Sequence, residues 1–132
     1  MRKVEFEITR EVEGGYDENH QWVEGGLKVI ATGKASIQPK SGDRRARETG
    51  TKYESEEIAY VYYKDLNVTV ETLVFLGMPE DTQEVSMYEA VNIYGIHIIQ
   101  QGDKLIDEFD KEYRILHPAN WNRHYELDIE AI

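Results

Sequence analysis

An all-β fold, a small antiparallel β-barrel or sandwich carrying one long extended loop, is what this sequence predicts, and three features predict it. Apolar and polar residues alternate with period two at both ends of the chain, in Val4-Glu5-Phe6-Glu7-Ile8 and in Tyr125-Glu126-Leu127-Asp128-Ile129-Glu130. That is the pattern of strands with one face buried and one wet. Turn chemistry recurs about every 8 to 15 residues, which suits about eight short strands joined by tight connections. Between Pro39 and Tyr53, the stretch KSGDRRARETGTK has no apolar residue larger than Ala46, so it has nothing to bury and reads as a loop or arm.

Taken in order, Lys3 to Val12 is the first strand, with Val4, Phe6 and Ile8 on one face. Gly14 to Asn19 is loop, Gln21-Trp22-Val23 a short extended piece, and Gly25-Gly26 a turn. Leu27–Ala31 and Lys34–Gln38 are one strand or two meeting at Gly33, where an interior glycine marks a bulge or bend. Pro39 stops the run. Ile58 to Tyr63, β-branched and aromatic on both faces, suits a central or doubly covered strand. Val68 to Leu76 reads as a strand sooner than as the start of a helix, and Met78–Asp81 as a turn. Thr82 to Ala90 fits neither period, while Val91 to Ile99 is again strand-like. The last third is a three-strand meander. Leu105-Ile106 runs through a hairpin at Asp107–Lys111 into Tyr113–Leu116, and His117-Pro118-Ala119-Asn120 ends that strand because proline has no amide hydrogen for the ladder. Tyr113, Ile115, Tyr125, Leu127 and Ile129 should share the core.

With 132 residues, 40% of them hydrophobic, the chain can fill one modest core, so residues 1–132 are expected to form a single domain. A net charge of −11, from 26 acids against 15 bases, argues against general affinity for a phosphate backbone. The absence of cysteine removes disulfides, thiolate zinc sites and cysteine nucleophiles. No apolar run approaches the roughly 20 residues of a membrane span, and the charged start Met1-Arg2-Lys3 does not lead into a signal-peptide core. A soluble, unprocessed protein without a membrane role is the expectation.

Little here suggests catalysis. His20, His97, His117 and His124 match no metal-ligand spacing, and Asp103, Asp107 and Asp110 do not form a calcium loop, so they read as turn-forming, solvated acids. No nucleophile elbow, P-loop or dinucleotide fingerprint occurs. No enzyme activity, cofactor or metal is therefore expected. Trp121, in a turn between strands, reads as a lid packed over the apolar face of the meander, with a binding aromatic as the alternative.

The exception to the acidic surface is Ser41 to Lys52 with the preceding Lys40. Lys40, Arg44, Arg45, Arg47 and Lys52 against Asp43 and Glu48 give +3. Three readings stay open: a solvated loop, a DNA-facing element, or an arm docking on an acidic partner, since arginine makes bidentate contacts to phosphate and carboxylate alike.

The order Arg10…Gly15-Tyr16-Asp17, Trp22-Val23-Glu24-Gly25, Ala35-Ser36-Ile37-Gln38-Pro39, then Gly102-Asp103…Tyr113-Arg114-Ile115…Trp121…His124-Tyr125-Glu126 resembles small tailed-bacteriophage neck proteins, the head–tail joining, head-closure or collar components. Val74 to Ile99 departs from that pattern in being longer and more apolar. The resemblance implies a small β-barrel with a long loop and no catalytic residues. It implies a structural virion protein, assembled in the host cytoplasm, that forms a homo-oligomeric ring, a dodecamer or hexamer, between portal and tail. The implied partners are a portal or adaptor protein, a tail or tail-terminator protein, and the packaged DNA passing through the channel. Arg44, Arg45, Arg47 and Lys52 are the residues expected to face a partner or the DNA. The alternative is a monomeric β-barrel binding a ligand or protein, with the glycine-rich stretch and Trp22 or Trp121 lining its site.

Overall fold

The computed structural model describes residues 3–16, 19–23, 25–39 and 57–132. Six strands close into an antiparallel barrel: β1 (Val4–Val12), β4 (Gly26–Pro39), β5 (Glu57–Tyr62), β7 (Lys104–Asp107), β8 (Glu112–Asn120) and β9 (His124–Ala131). Around the wall they run β1-β7-β8-β9-β5-β4, and β4 returns to β1 to complete the circuit. A two-residue strand, β6 (Leu66–Asn67), adds to β4 outside the circuit, and β2 (Gly15–Tyr16) pairs β3 (Trp22–Val23) in a separate hairpin. The terminal meander supplies three of the six staves. Its inward positions Tyr113, Ile115, Tyr125, Leu127 and Ile129 are all buried, alongside Phe6 and Ile8 from β1 and Ala59 and Val61 from β5, as the alternation predicts.

Irregularities bend the wall where closure requires it. β1 and β4 stay in register from Val4↔Ala35 to Ile8↔Ala31, then Thr9 meets Val29, so Ile30 is an extra residue in the ladder. Ile30 and Ala31 are consequently both buried, which strict alternation forbids and a bulge permits. The second bulge, at Leu116, lies between Ile115↔Ile129 and His117↔Asp128. The expected strand end at His117–Asn120 is not observed: β8 continues to Asn120, with Pro118 opposite Leu127. Proline is tolerated there because β7 pairs β8 only at Glu112–Arg114, leaving Pro118 beyond the reach of a second ladder. Gly33 is likewise not a bulge. A Cβ there would come within 2.1 Å of the Asp65 carbonyl oxygen, so the glycine admits the 3₁₀ turn Tyr63–Asp65 and β6 against the strand. β5 is central, between β4 and β9, yet covered on one face only, since Tyr62 points outward and is exposed.

Residues 68–103 differ most from expectation: one short helix replaces the strand read at Val68–Leu76, a second occupies the end of the unassigned Thr82–Ala90 stretch, and Ile93–Ile99 of the other expected strand is irregular. In α1 (Val70–Phe75) the Thr69 hydroxyl accepts a hydrogen bond from the Thr72 amide at 3.1 Å. In α2 (Met87–Asn92) Ser86 accepts from the Glu89 amide at 3.1 Å and donates to its carboxylate at 3.0 Å. Both satisfy amides that the first helical turn leaves open. After α2 the chain reverses at Gly95 (φ 70°), and Ile96, Ile98 and Ile99 are buried without forming a strand. This excursion covers one barrel end. It reaches Arg10 of β1 on one side and Tyr125 and the β8–β9 turn on the other, through Ile98, Ile99 and Asn92. Met78, Met87, Ala90 and Val91 join the barrel interior in a single core.

Candidate functional site

Arg44, Arg45, Arg47 and Lys52 lie outside the described residues. Their place of attachment is defined: Pro39 and Glu57 pair directly across β4 and β5, so residues 40–56 leave and return at one point on the barrel rim. Lys111, at the end of the Asp107–Lys111 hairpin, stands 3.9 Å from Glu57 at that rim.

Asp103 is corrected from a solvated turn acid to the most buried charge described, at 3% exposure. Its two oxygens accept from Arg10 Nε and Nη2, each at 2.8 Å, and from the Gln100 amide at 2.9 Å; Arg10 Nη2 also donates to the Ile98 carbonyl at 2.9 Å. This bidentate pair ties the end of the excursion to β1. Asp107 does form the expected turn, accepting from the amides of Phe109 and Lys111.

A cleft of about 1260 Å³ lies between β4 and the excursion. One wall is the strand segment Val29–Thr32; the other is α1 with Val68, Val85 and the start of α2. The capping bonds at Thr69 and Ser86 place both helices, and burial of Leu73 and Met87 turns their inner faces to the core. That leaves Val70 and Tyr88 exposed beside the cleft. Its charged lining is Lys64 and Arg123 against Glu84, so a chain of −11 presents here a surface of opposite sign. Lys28 lies alongside, its ammonium 5.0 Å from the Phe75 ring centre.

At one end of the cleft stands a row of rings. His124 lies 5.5 Å from Tyr62 and 6.5 Å from Trp121, stacked on the latter at 19°, and the ammonium groups of Lys3 and Lys64 lie 5.5 and 5.8 Å from Tyr62. Trp121 is 55% exposed, so it does not serve as a lid over the meander. Its indole N–H donates to Glu126 at 3.2 Å on the outer wall. Behind the row, Tyr63 donates to the Trp121 carbonyl at 2.8 Å, and burial together with the neighbouring Tyr125 hydroxyl pushes its pKa up to about 12. Trp22 lies elsewhere, packed edge-on against Tyr16 in the β2–β3 hairpin.

This arrangement suits binding. The cleft is apolar with cations at its margin, and the hydroxyl–carboxylate contact on its lining, Ser86 to Glu89 at 3.0 Å, belongs to the cap of α2. Among the described residues no group of three or more His, Asp or Glu could hold a metal. Sequence reading missed the cleft because it is assembled from four separate stretches; the usable signals were the Thr69 and Ser86 caps, which mark helices on its far wall. No family model matches the chain, and neither a curated protein nor a solved structure shows significant similarity to it.

Proposed function

We propose that this chain is a structural component of the tailed-phage head–tail junction, one subunit of a ring that lies between portal and tail, helps close the DNA channel and docks the tail. The sequence resemblance motivates the reading, and the observation that carries it is the outer surface. The barrel's own core is complete, yet large apolar side chains are exposed in neighbouring pairs: Tyr16 with Trp22, Leu27 with Val29, Ile93 with Tyr94. Single exposed apolar residues are ordinary, whereas grouped ones mark surfaces that another chain covers. The acidic charge suits a channel wall along which DNA slides, and the basic arm rooted at Pro39 and Glu57 supplies a local contact to DNA or to a neighbouring subunit.

Deletion of the gene from its phage tests this. DNA-filled heads and free tails that join only when the purified chain is added back support the proposal. Infectious particles assembled without it, or a genome lacking portal and tail genes, overturn it. Replacing Arg44, Arg45 and Arg47 by alanine should leave the melting temperature nearly unchanged while reducing joining or DNA retention.

A further inference from the structure

We infer that the cleft beside β4 is a strand-addition site for an extended segment of another protein, one in which apolar and acidic residues alternate. Gly26 to Ala31 are paired to β1 along one side. Along the other, β6 takes only Thr32–Gly33 and β5 only Ser36–Pro39, so among the described residues nothing pairs Gly26–Ala31. Beyond Ile115, β8 is likewise paired on one side only, but the Gly26–Ala31 edge is the one that borders the cleft. An open edge presents N–H and C=O groups that an added strand can satisfy. This edge opens into the cleft, because Val29, Ile30 and Ala31 line it.

The size of the cleft favours a peptide. At about 1260 Å³ it exceeds the roughly 300–1,000 Å³ typical of small-molecule sites. A strand lying about 4.8 Å from β4 would have one set of side chains against the exposed Val29 and Val70 and the partly buried Val85. The alternate set would point to the Lys28 face of the strand, and the lining adds Lys64 and Arg123 against Glu84. Backbone pairing supplies affinity in such sites and the alternate side chains supply selectivity, so the occupant selected here carries acids at every second position. A second copy of this chain is a poorer occupant. Pairing the same edge antiparallel to itself would bring one Lys28 towards the other, and like charges opposed across strands are unfavourable. The inference does not depend on ring formation.

The test uses the full chain and three labelled, end-blocked peptides: alternating Val–Glu, alternating Val–Lys, and alternating Ser–Glu. Fluorescence anisotropy should show the Val–Glu peptide binding at least about tenfold more tightly than either control, with amide exchange at Leu27–Ala31 slowed on binding. Val29→Lys and Lys28→Glu, both at the edge and outside the core, should each weaken it several-fold without changing the melting temperature. Equal affinity for the three peptides, or protection confined to residues outside β4 and the cleft walls, overturns the proposal. So does concentration-dependent protection of Leu27–Ala31 without peptide, which would assign the edge to a second copy.

Discussion

Breaking the Arg10–Asp103 pair from either side should destabilise the fold more than deleting any charge outside it among the described residues. The carboxylate is 3% exposed and accepts three N–H groups, two of them from a guanidinium whose own side chain is 16% exposed. Asp103→Ala strands the Arg10 charge among apolar neighbours, and a buried ion left without its partner costs about 3–5 kcal/mol. That is a large fraction of the roughly 5–15 kcal/mol by which a domain of this kind is stable. Arg10→Met should cost at least as much, because the group it leaves unpaired is the more buried of the two. In Arg10→Met/Asp103→Leu both charges leave together, and the loss should fall below that of either single variant, with a coupling energy of about 2 kcal/mol or more. Urea denaturation measures all three, provided the slope with denaturant is unchanged. Because the pair holds the 98–103 turn to β1, amide exchange in the single variants should rise first at Ile98 and Gln100. A loss under about 1 kcal/mol for Asp103→Ala, or strictly additive single variants, would refute the reasoning, since that is the behaviour of a solvent-screened surface pair. The Lys3–Asp65 contact at 2.7 Å, with both partners partly exposed, is the internal control: Lys3→Ala should change stability by no more than about 1 kcal/mol.

Leu127→Ala, at a fully buried stave position, should cost about 2–5 kcal/mol; a denaturant melt showing less than about 0.5 kcal/mol would mean the β9 register is wrong. Gly33→Ala should lower stability by about 1–3 kcal/mol, because its methyl would meet the Asp65 carbonyl. An unchanged melting temperature would show that the Tyr63–Asp65 turn moves freely. In alkali the protein should weaken between about pH 10 and 12. Tyr63 has its pKa raised from 10.0 to about 12 in the folded chain, so the unfolded chain loses that proton first. The stabilisation is complete below about pH 10 and falls away as pH rises through 12, by about 3 kcal/mol at most. Tyr60, Tyr113 and Tyr125 shift in the same direction. Phenolate absorbance appearing well before unfolding, with no loss of stability over that range, would contradict the assignment.

The barrel wall was readable in the sequence because each stave carries its own evidence. In β1 and β9 the buried set Phe6, Ile8, Tyr125, Leu127 and Ile129 recurs at period two, and a strand of eight or nine residues samples that period several times. The helices failed the same test for lack of length. Six residues are fewer than two turns, too short for a 3.6-residue period to declare itself against a window of roughly 11–18 residues. What did encode them was local: Thr69 three residues before Thr72, and Ser86 three before Glu89. Pairings across the chain were not readable at all. Asp103 looks like any turn acid until Arg10, 93 residues earlier, is brought beside it.

The run Val91 to Ile99 misled for a reason inherent in closing a barrel. A stave has an inside and an outside, so its side chains alternate, whereas this segment turns only Val91, Ile96, Ile98 and Ile99 inward and leaves Ile93, Tyr94 and His97 exposed, at no regular spacing. Ile96, Ile98 and Ile99 are all buried with no strand to hold their backbone. The excursion must therefore satisfy its polar groups through side chains and turns, and it does so where the barrel offers them. The Ile98 carbonyl takes the Arg10 guanidinium, and Ile98 and Ile99 meet the Tyr125 hydroxyl. Such a segment looks apolar and strand-like in sequence because burial is the only signal it carries, and no period accompanies it. The same geometry explains the cleft. To cross the end the chain must leave β4 after β6, and the residues that carry it away into α1 form no ladder with Gly26–Ala31, so that edge of β4 borders the cleft.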